Sequence, residues 1–255
     1  MHWEKILYDW VMILSRFIVE SYESIESLMV DLVEDIFFKD VFFQWLLSGS
    51  YSMRQIRYFA IQYSYYSRHF PRVLGAAISA MAPQSSWWIP LADNLWDEAG
   101  RGEAGQSHEE LYRTFLLSVD NEIRLDAIGQ PKEPMSNAVS TAITTFLQFF
   151  QSATPLQAMA AVGLGSEMFA GQVMGTIGRG LRHDSYNEGH KLNTLFWDVH
   201  AIEHEPRHYQ LCRDILIQHQ TSADLDMMYQ VGTSIARSEA MMYRQLHDEM
   251  LKGEG

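Results

Sequence analysis

Cysteine is nearly absent: Cys212 stands alone in 255 residues. Neither an intrachain disulfide nor a thiolate metal cluster is available, and a reducing cytosol is the compartment that fits. Basic residues are also scarce, with 19 Lys and Arg against 32 Asp and Glu and a formal charge of −13. No basic stripe runs through the chain, so a phosphate backbone meets the wrong electrostatic sign and nucleic acid is not an expected partner. Long apolar runs are missing too. The most apolar stretch, residues 158–178, is interrupted by Glu167 and five glycines and lacks aromatic or basic flanks, which argues against a membrane span. The N-terminus mixes Glu4, Lys5 and Asp9 into its apolar residues and so lacks the core of a signal peptide. A soluble, cytoplasmic protein is expected.

Strict polar/apolar alternation and hairpin turns are missing as well, whereas apolar residues recur at three- and four-residue spacing almost throughout. The chain therefore reads as all-α. Helices are expected near 3–18, 22–36, 53–82, 90–99, 107–119, 134–152, 155–178, 190–204, 206–219 and 222–251, with loops at 100–106, 127–134 and 178–189. Ser107 opens a capping box with Glu110, and Thr154 precedes Pro155 at a first-turn position. No repeat of 20–50 residues and no linker composition is visible, so residues 1–255 read as one helical domain.

What is present is a set of charges in unusual places. Between Glu133 and Arg179 the only charged side chain is Glu167, in a helix of Ala, Gly, Val, Met, Leu and Phe. A helix apolar all round is buried, and a carboxylate there needs a cation, an Arg, or a wet crevice. A second signal is the segment FWDVHAIEHEPRHYQ, with His200, Glu203, His204, Glu205 and His208 within nine residues. On a regular helix at about 100° per residue, His200, His204 and His208 share an arc of about 80°, and Glu205 stands about 140° from His200. Pro206 alters this. It lacks an N–H and its ring clashes with the carbonyl of Ile202, so the helix must break or bulge. One bulged residue would bring Glu205 and His208 onto the face of His200 and make E-P-R-H a Glu-x-x-His pair. Otherwise these are surface histidines on a solvated turn.

The third cluster is DNLWDEAGRGEAGQSHEELYRTFL, in which a helix ending at Glu98 passes through a glycine-rich loop into a helix beginning at His108. The loop lacks the pattern of a phosphate cradle. Together the clusters offer Glu98, His108, Glu167, His200, Glu205 and His208, a mixed O/N set that suits a pair of Fe or Mn ions better than structural zinc. A single Glu-x-x-His excludes the ferritin-like layout, which needs two.

The order of elements resembles the haem-oxygenase-like di-iron oxidases and oxygenases, whose superfamily includes pyrroloquinoline quinone synthase-like and thiaminase-like proteins. It is carried by the Tyr-rich helix YFAIQYSYYSRHFPRVLGAAISAM, then NLWDEAGRG…SHEELY, the Glu in a small-residue helix, F…H…E-x-x-H, and the final VGTSIARSEAMMYRQL. The likeness spans about residues 50–250. It implies a haem-oxygenase-like bundle with N-terminal helices over 1–50 and a core with the metal site over 51–255. Glu98, His108, Glu167 and His200 match the first four ligand positions. The family's His-x-x-x-Asp-x-x-His becomes Glu205 and His208 only with one residue inserted; without it His204 is the alternative, and Glu103 is a lesser candidate for an earlier position.

The resemblance implies two Fe(II) ions and O2 as co-substrate, acting on a small carboxylate, foremost an amino acid, by C–H activation, desaturation, C–C cleavage or N-oxygenation. Oxidative decarboxylation of a fatty acid, a metal-free thiaminase-like hydrolase and a haem-binding protein with His2 or His69 as axial ligand are the alternatives. Arg72, Arg179, Arg182 and Arg207 are candidate carboxylate clamps, and Tyr63, Tyr65 and Tyr66 candidate pocket walls. A homodimer is compatible with a helical enzyme, though no segment specifies one.

Overall fold

The computed structural model describes residues 19–252, apart from the side chains of residues 203–205. Regular structure among the described residues is helical, with one isolated bridge between Leu125 and Pro131. In chain order the helices are α1 (Tyr22–Val33), α2 (Val41–Leu47), α3 (Met53–Ala80), α4 (Ser85–Glu98), α5 (His108–Val119), α6 (Asn137–Phe150), α7 (Pro155–Val162), α8 (Met168–Leu181), α9 (Leu195–Val199), α10 (Glu205–Leu216) and α11 (Ser222–Lys252). Wider π-helical turns follow α1 at Glu34–Phe38, join α7 to α8 at Gly163–Glu167, and join α9 to α10 at His200–His204. The helix expected over 3–18 lies outside the described residues.

The starts follow local chemistry. Capping boxes close at Ser52 with Gln55, Ser107 with Glu110 and Thr154 with Gln157, each satisfying backbone N–H groups that a first turn leaves unbonded. The departures from the sequence reading have physical reasons. Helix α2 is seven residues long, too short for a periodic signal, and begins where the Asp40 carboxylate accepts the Phe42 N–H at 2.9 Å. Helix α4 starts at Ser85 rather than 90, with Pro90 inside it. The first turn gains cover from Trp87, whose ring lies 5.6 Å from that of His219, which offsets the one backbone bond a proline removes. Helix α8 runs on to Leu181, a few residues into the expected loop, and the region from 190 becomes helical only at Leu195.

Buried apolar residues from α1 through α11 form one cluster. Helix α3 packs on α5 and α6, while α11 packs on α6, α7 and the π turn Gly163–Glu167. At the centre the Trp197 indole meets Phe59, Tyr63, Phe115 and Phe196 at ring separations of 5.0–6.1 Å. Removing such an aromatic costs about 3–5 kcal/mol. The packing also holds α9 firmly, and α9 delivers His200.

Candidate metal centre

The last turns of α4 place Asn94, Asp97 and Glu98 on one face by their i, i+3, i+4 spacing, and all three are buried. The chain then turns sharply: Gly100 has φ +65°, and a Cβ there would stand 2.5 Å from the backbone of Gln106 and Ser107. Only glycine fits that approach. The turn sets Ser107 to cap α5 and puts His108 at its first residue, where the Glu98 carboxylate contacts His108 Nδ1.

Glu167 closes the π turn between α7 and α8 and is 1% exposed. Asn94 Nδ2 donates to its Oε1 at 2.7 Å, and His208 Nδ1 lies 3.6 Å from its Oε2. No arginine reaches it among the described residues, so the wet-crevice and Arg-paired alternatives for Glu167 do not describe this site. His200 and His208 flank the wide turn His200–His204, the bulge that Pro206 foreshadowed. His200 Nδ1 donates to the Phe196 carbonyl at 2.6 Å, which leaves Nε2 as its lone-pair atom, 3.1 Å from His108 Nδ1. His208 Nε2 lies 3.3 Å from the Asp97 carboxylate, which is also bound by Arg207 and Arg101.

Glu98, His108 and His200 thus bring one donor atom each within 4.8 Å of one another, and all are buried. Glu98 Oε1, His108 Nε2 and Glu167 Oε2 complete no hydrogen bond among the described residues. Burial by itself would raise the Glu98 carboxyl, but the imidazoles of His108, His200 and His208 hold it down, to about 2. A dry cluster of carboxylate and imidazole lone pairs with too few hydrogen-bond donors is what a bound cation satisfies. The donor set fits iron: oxygen and nitrogen, with the Cys212 thiol buried and pushed well up by desolvation.

Five of the six sequence candidates therefore sit in one buried neighbourhood. Glu205 begins α10, and its side chain, like that of His204, lies outside the described residues. Glu103 is exposed in the glycine-rich loop. None of the four arginines expected as clamps enters the cluster: Arg72 and Arg179 are exposed, Arg182 pairs with Asp198 at 2.7 Å, and Arg207 is engaged by Asp93 and Asp97. Each lies at the surface or spends its charge on a carboxylate of the chain. Tyr65 also points elsewhere, donating to the carbonyl of Pro131 at 2.9 Å, whereas Tyr63 and Tyr66 line a cavity beside His108.

Sequence reasoning missed Asn94, Asp97 and the buried Glu239 of α11. Glu239 was detectable: it falls on the stripe Ile235, Ala236, Glu239, Ala240, Met242, Tyr243 and Leu246 that α11 turns inward. Asp97 carried no such signal.

The helical bundle that holds this buried carboxylate–imidazole cluster has the haem-oxygenase-like fold. Residues 57–233 match the family of iron-containing redox enzymes, and the chain belongs to that family. It is similar in structure to a CADD-like protein of unknown function from Nostoc punctiforme, with TM-score 0.70, 17% identity, and coverage of 89% of this chain and 95% of that one. A domain of unknown function with a heme oxygenase-like fold from Shewanella denitrificans gives TM-score 0.70 at 14% identity, over 91% and 94% of the two chains. A TenA homologue from Pseudomonas syringae pv. tomato gives 0.63 at 10%, over 87% and 92%. Identities this low carry the fold and nothing finer. No curated protein matches the chain.

Proposed function

We propose that this protein is a non-haem di-iron oxidase or oxygenase that uses O2 to oxidise a small carboxylate substrate, foremost an amino acid, in the cytoplasm. The observation that carries the reading is the meeting of Glu98, His108 and His200 beside Glu167 and His208, all buried, with Glu98 Oε1, His108 Nε2 and Glu167 Oε2 left open. Glu98, His108 and His200 would hold one ion, and Glu167 with His208 the other, with Glu205 as the remaining candidate. Ferrous ions bound there would supply electrons for O2 reduction, the remaining electrons coming from the substrate bond that is oxidised.

The chain's own part is orientation. The Phe196 carbonyl fixes the ring of His200 so that Nε2 faces the cluster, and Asp97 holds Nε2 of His208 so that Nδ1 faces Glu167. Phe196 and Tyr112 wall the imidazoles from water, the Phe196 ring lying 4.3 Å from that of His200 and 4.9 Å from that of Tyr112. A thiaminase-like hydrolase would need a reactive thiol, and Cys212 is buried with its thiol pushed well up. For the haem reading, His69 is engaged with the Tyr65 carbonyl at 2.7 Å and His2 lies outside the described residues.

The test is anaerobic titration of metal-free protein with Fe(II), followed by mixing with O2 in the presence of amino acids or fatty acids. Two ions per chain, falling on Glu98→Gln and Glu167→Gln substitution, with O2 consumption quickened by one substrate class, is the expected result. Absence of iron binding, or variants that bind like the parent, would overturn it.

A further inference from the structure

Two of the three clustered imidazoles are held from outside the cluster: His200 Nδ1 donates to the Phe196 carbonyl, and His208 Nε2 lies 3.3 Å from the Asp97 carboxylate. His108 differs. It turns Nδ1 toward Glu98 and His200, while its Nε2 completes no hydrogen bond among the described residues. The two nitrogens stand on opposite edges of the ring, so Nε2 faces away from the cluster. A buried ring N–H without a partner is costly, and a ligand ring without an outer partner is poorly oriented.

The cavity that His108 borders is about 30 Å³, room for one or two water molecules and for nothing with a carbon skeleton. Its wall brings Ser67 from α3, Ser166 from the π turn and Glu239 from α11. Ser67 Oγ and Glu239 Oε2 are buried and, like His108 Nε2, complete no hydrogen bond among the described residues. The Tyr66 and Ser166 hydroxyls lie beside the Glu239 carboxyl, which leaves Oε2 as its oxygen without a partner. Burial pushes this acid up to about 8, so near pH 7 it is neutral and calls for a hydrogen-bond partner rather than a counter-charge. Three such atoms around a space of this size match the three bonds that a buried water typically makes.

We infer that Glu239 and Ser67 are positioning residues for His108 and act through one water in this cavity, which accepts the Nε2–H and donates to Glu239 Oε2 and Ser67 Oγ. The donor and acceptor count closes, since a water offers two protons and accepts the third bond. With Nε2 carrying the N–H, Nδ1 keeps its lone pair toward Glu98 and His200, the tautomer that a bound ion requires. The inference rests on the oxidase reading for what Nδ1 then binds. The water itself needs no iron.

Crystal structures of the metal-free full-length protein, parent and Glu239→Leu, test the water directly. The parent should show one ordered water within about 3 Å of His108 Nε2, Glu239 Oε2 and Ser67 Oγ, and the leucine variant should lack it. Anaerobic titration with Fe(II) tests what the water does. Glu239→Leu should weaken one of the two iron sites by about 10–100-fold and leave the other at the parent value, whereas Glu239→Gln, whose amide oxygen still accepts from the water, should stay within about 3-fold of the parent. Ser67→Ala should shift the same site in the same direction, and serves if Glu239→Leu does not fold. No water in the parent, a water that bonds Glu239 but not His108, leucine and alanine variants that bind iron like the parent, or equal losses in the leucine and glutamine variants would each overturn the assignment. A parent that binds no iron sinks the oxidase reading instead, and the water in its crystal structure still decides this one.

Discussion

Nε2 of His200 stands 3.1 Å from Nδ1 of His108, two buried imidazoles separated by 92 positions in the chain. The Phe196 carbonyl takes the other proton of His200, and the Glu98 carboxylate lies against the same His108 nitrogen. One proton cannot satisfy a carboxylate and a second imidazole together. A cation among the three atoms can.

Asp97 orients His208 from outside the cluster, and carboxylates in that position typically govern metal affinity. Asp97→Asn should weaken Fe(II) binding at the second position by about 10–100-fold. Asp93→Asn breaks one of the Arg207 pairs without touching His208 and should leave affinity at the parent value. Iron titration of the two variants side by side checks this.

Pro206 removes the N–H that would bond the Ile202 carbonyl, and Ile202, at the crest of the wide turn, is 76% exposed. Pro206→Ala lets the turn close into regular helix, rotating His208 by about 100° relative to His200. Iron stoichiometry should fall from two to one per chain, with thermal stability of the metal-free protein unchanged or raised. An unaltered stoichiometry would show that packing, not the proline, holds the turn.

The turn carrying Glu167 depends on close helix approach. A Cβ on Gly165 would stand 2.7 Å from Ile235 Cβ, and one on Gly163 would stand 2.7 Å from Cys212 Cβ. Gly165→Ala should destabilise by about 1–3 kcal/mol through displacement of α11. At Gly75, on an exposed face of α3 with open space around it, alanine should instead stabilise by about 0.5–1 kcal/mol. Urea denaturation distinguishes the two signs.

Burial pushes the Glu239 carboxyl up from 4.5 to about 8, with the neighbouring Glu167 charge adding and the Tyr66 and Ser166 hydroxyls opposing. The folded protein then holds a proton that the unfolded chain has released, so stability is full below pH 4.5, declines as pH rises, and levels off above about 8. At about 1.4 kcal/mol per pH unit the loss from this group is at most about 5 kcal/mol. Glu239→Gln should flatten that slope in the metal-free protein. Denaturation midpoints measured from pH 5 to 9 on both proteins check it.

Much of this centre is legible in the sequence. Glu167 is marked by its isolation in an apolar helix, Pro206 by its missing N–H, and Glu98 and His108 by the glycine-rich loop that joins their helices. Asn94 and Asp97 are not legible, because a polar residue near a helix end looks the same whether it faces water or a histidine 111 positions away. The arginine clamps fail for the same reason: each guanidinium has a carboxylate partner that only folding reveals, or lies at the surface.

The sequence by itself determined most of the helices, several of their caps, the wide turn before Pro206 and the cost of burying Glu167, since these follow from backbone bonding and local periodicity within a few residues. Tertiary structure decided which faces meet. The pairing of His108 with His200, the support of His208 by Asp97 and the placing of Glu239 against Tyr66 and Ser67 depend on how α3, α4, α5, α10 and α11 pack, and packing is settled by shape complementarity between residues far apart in the chain.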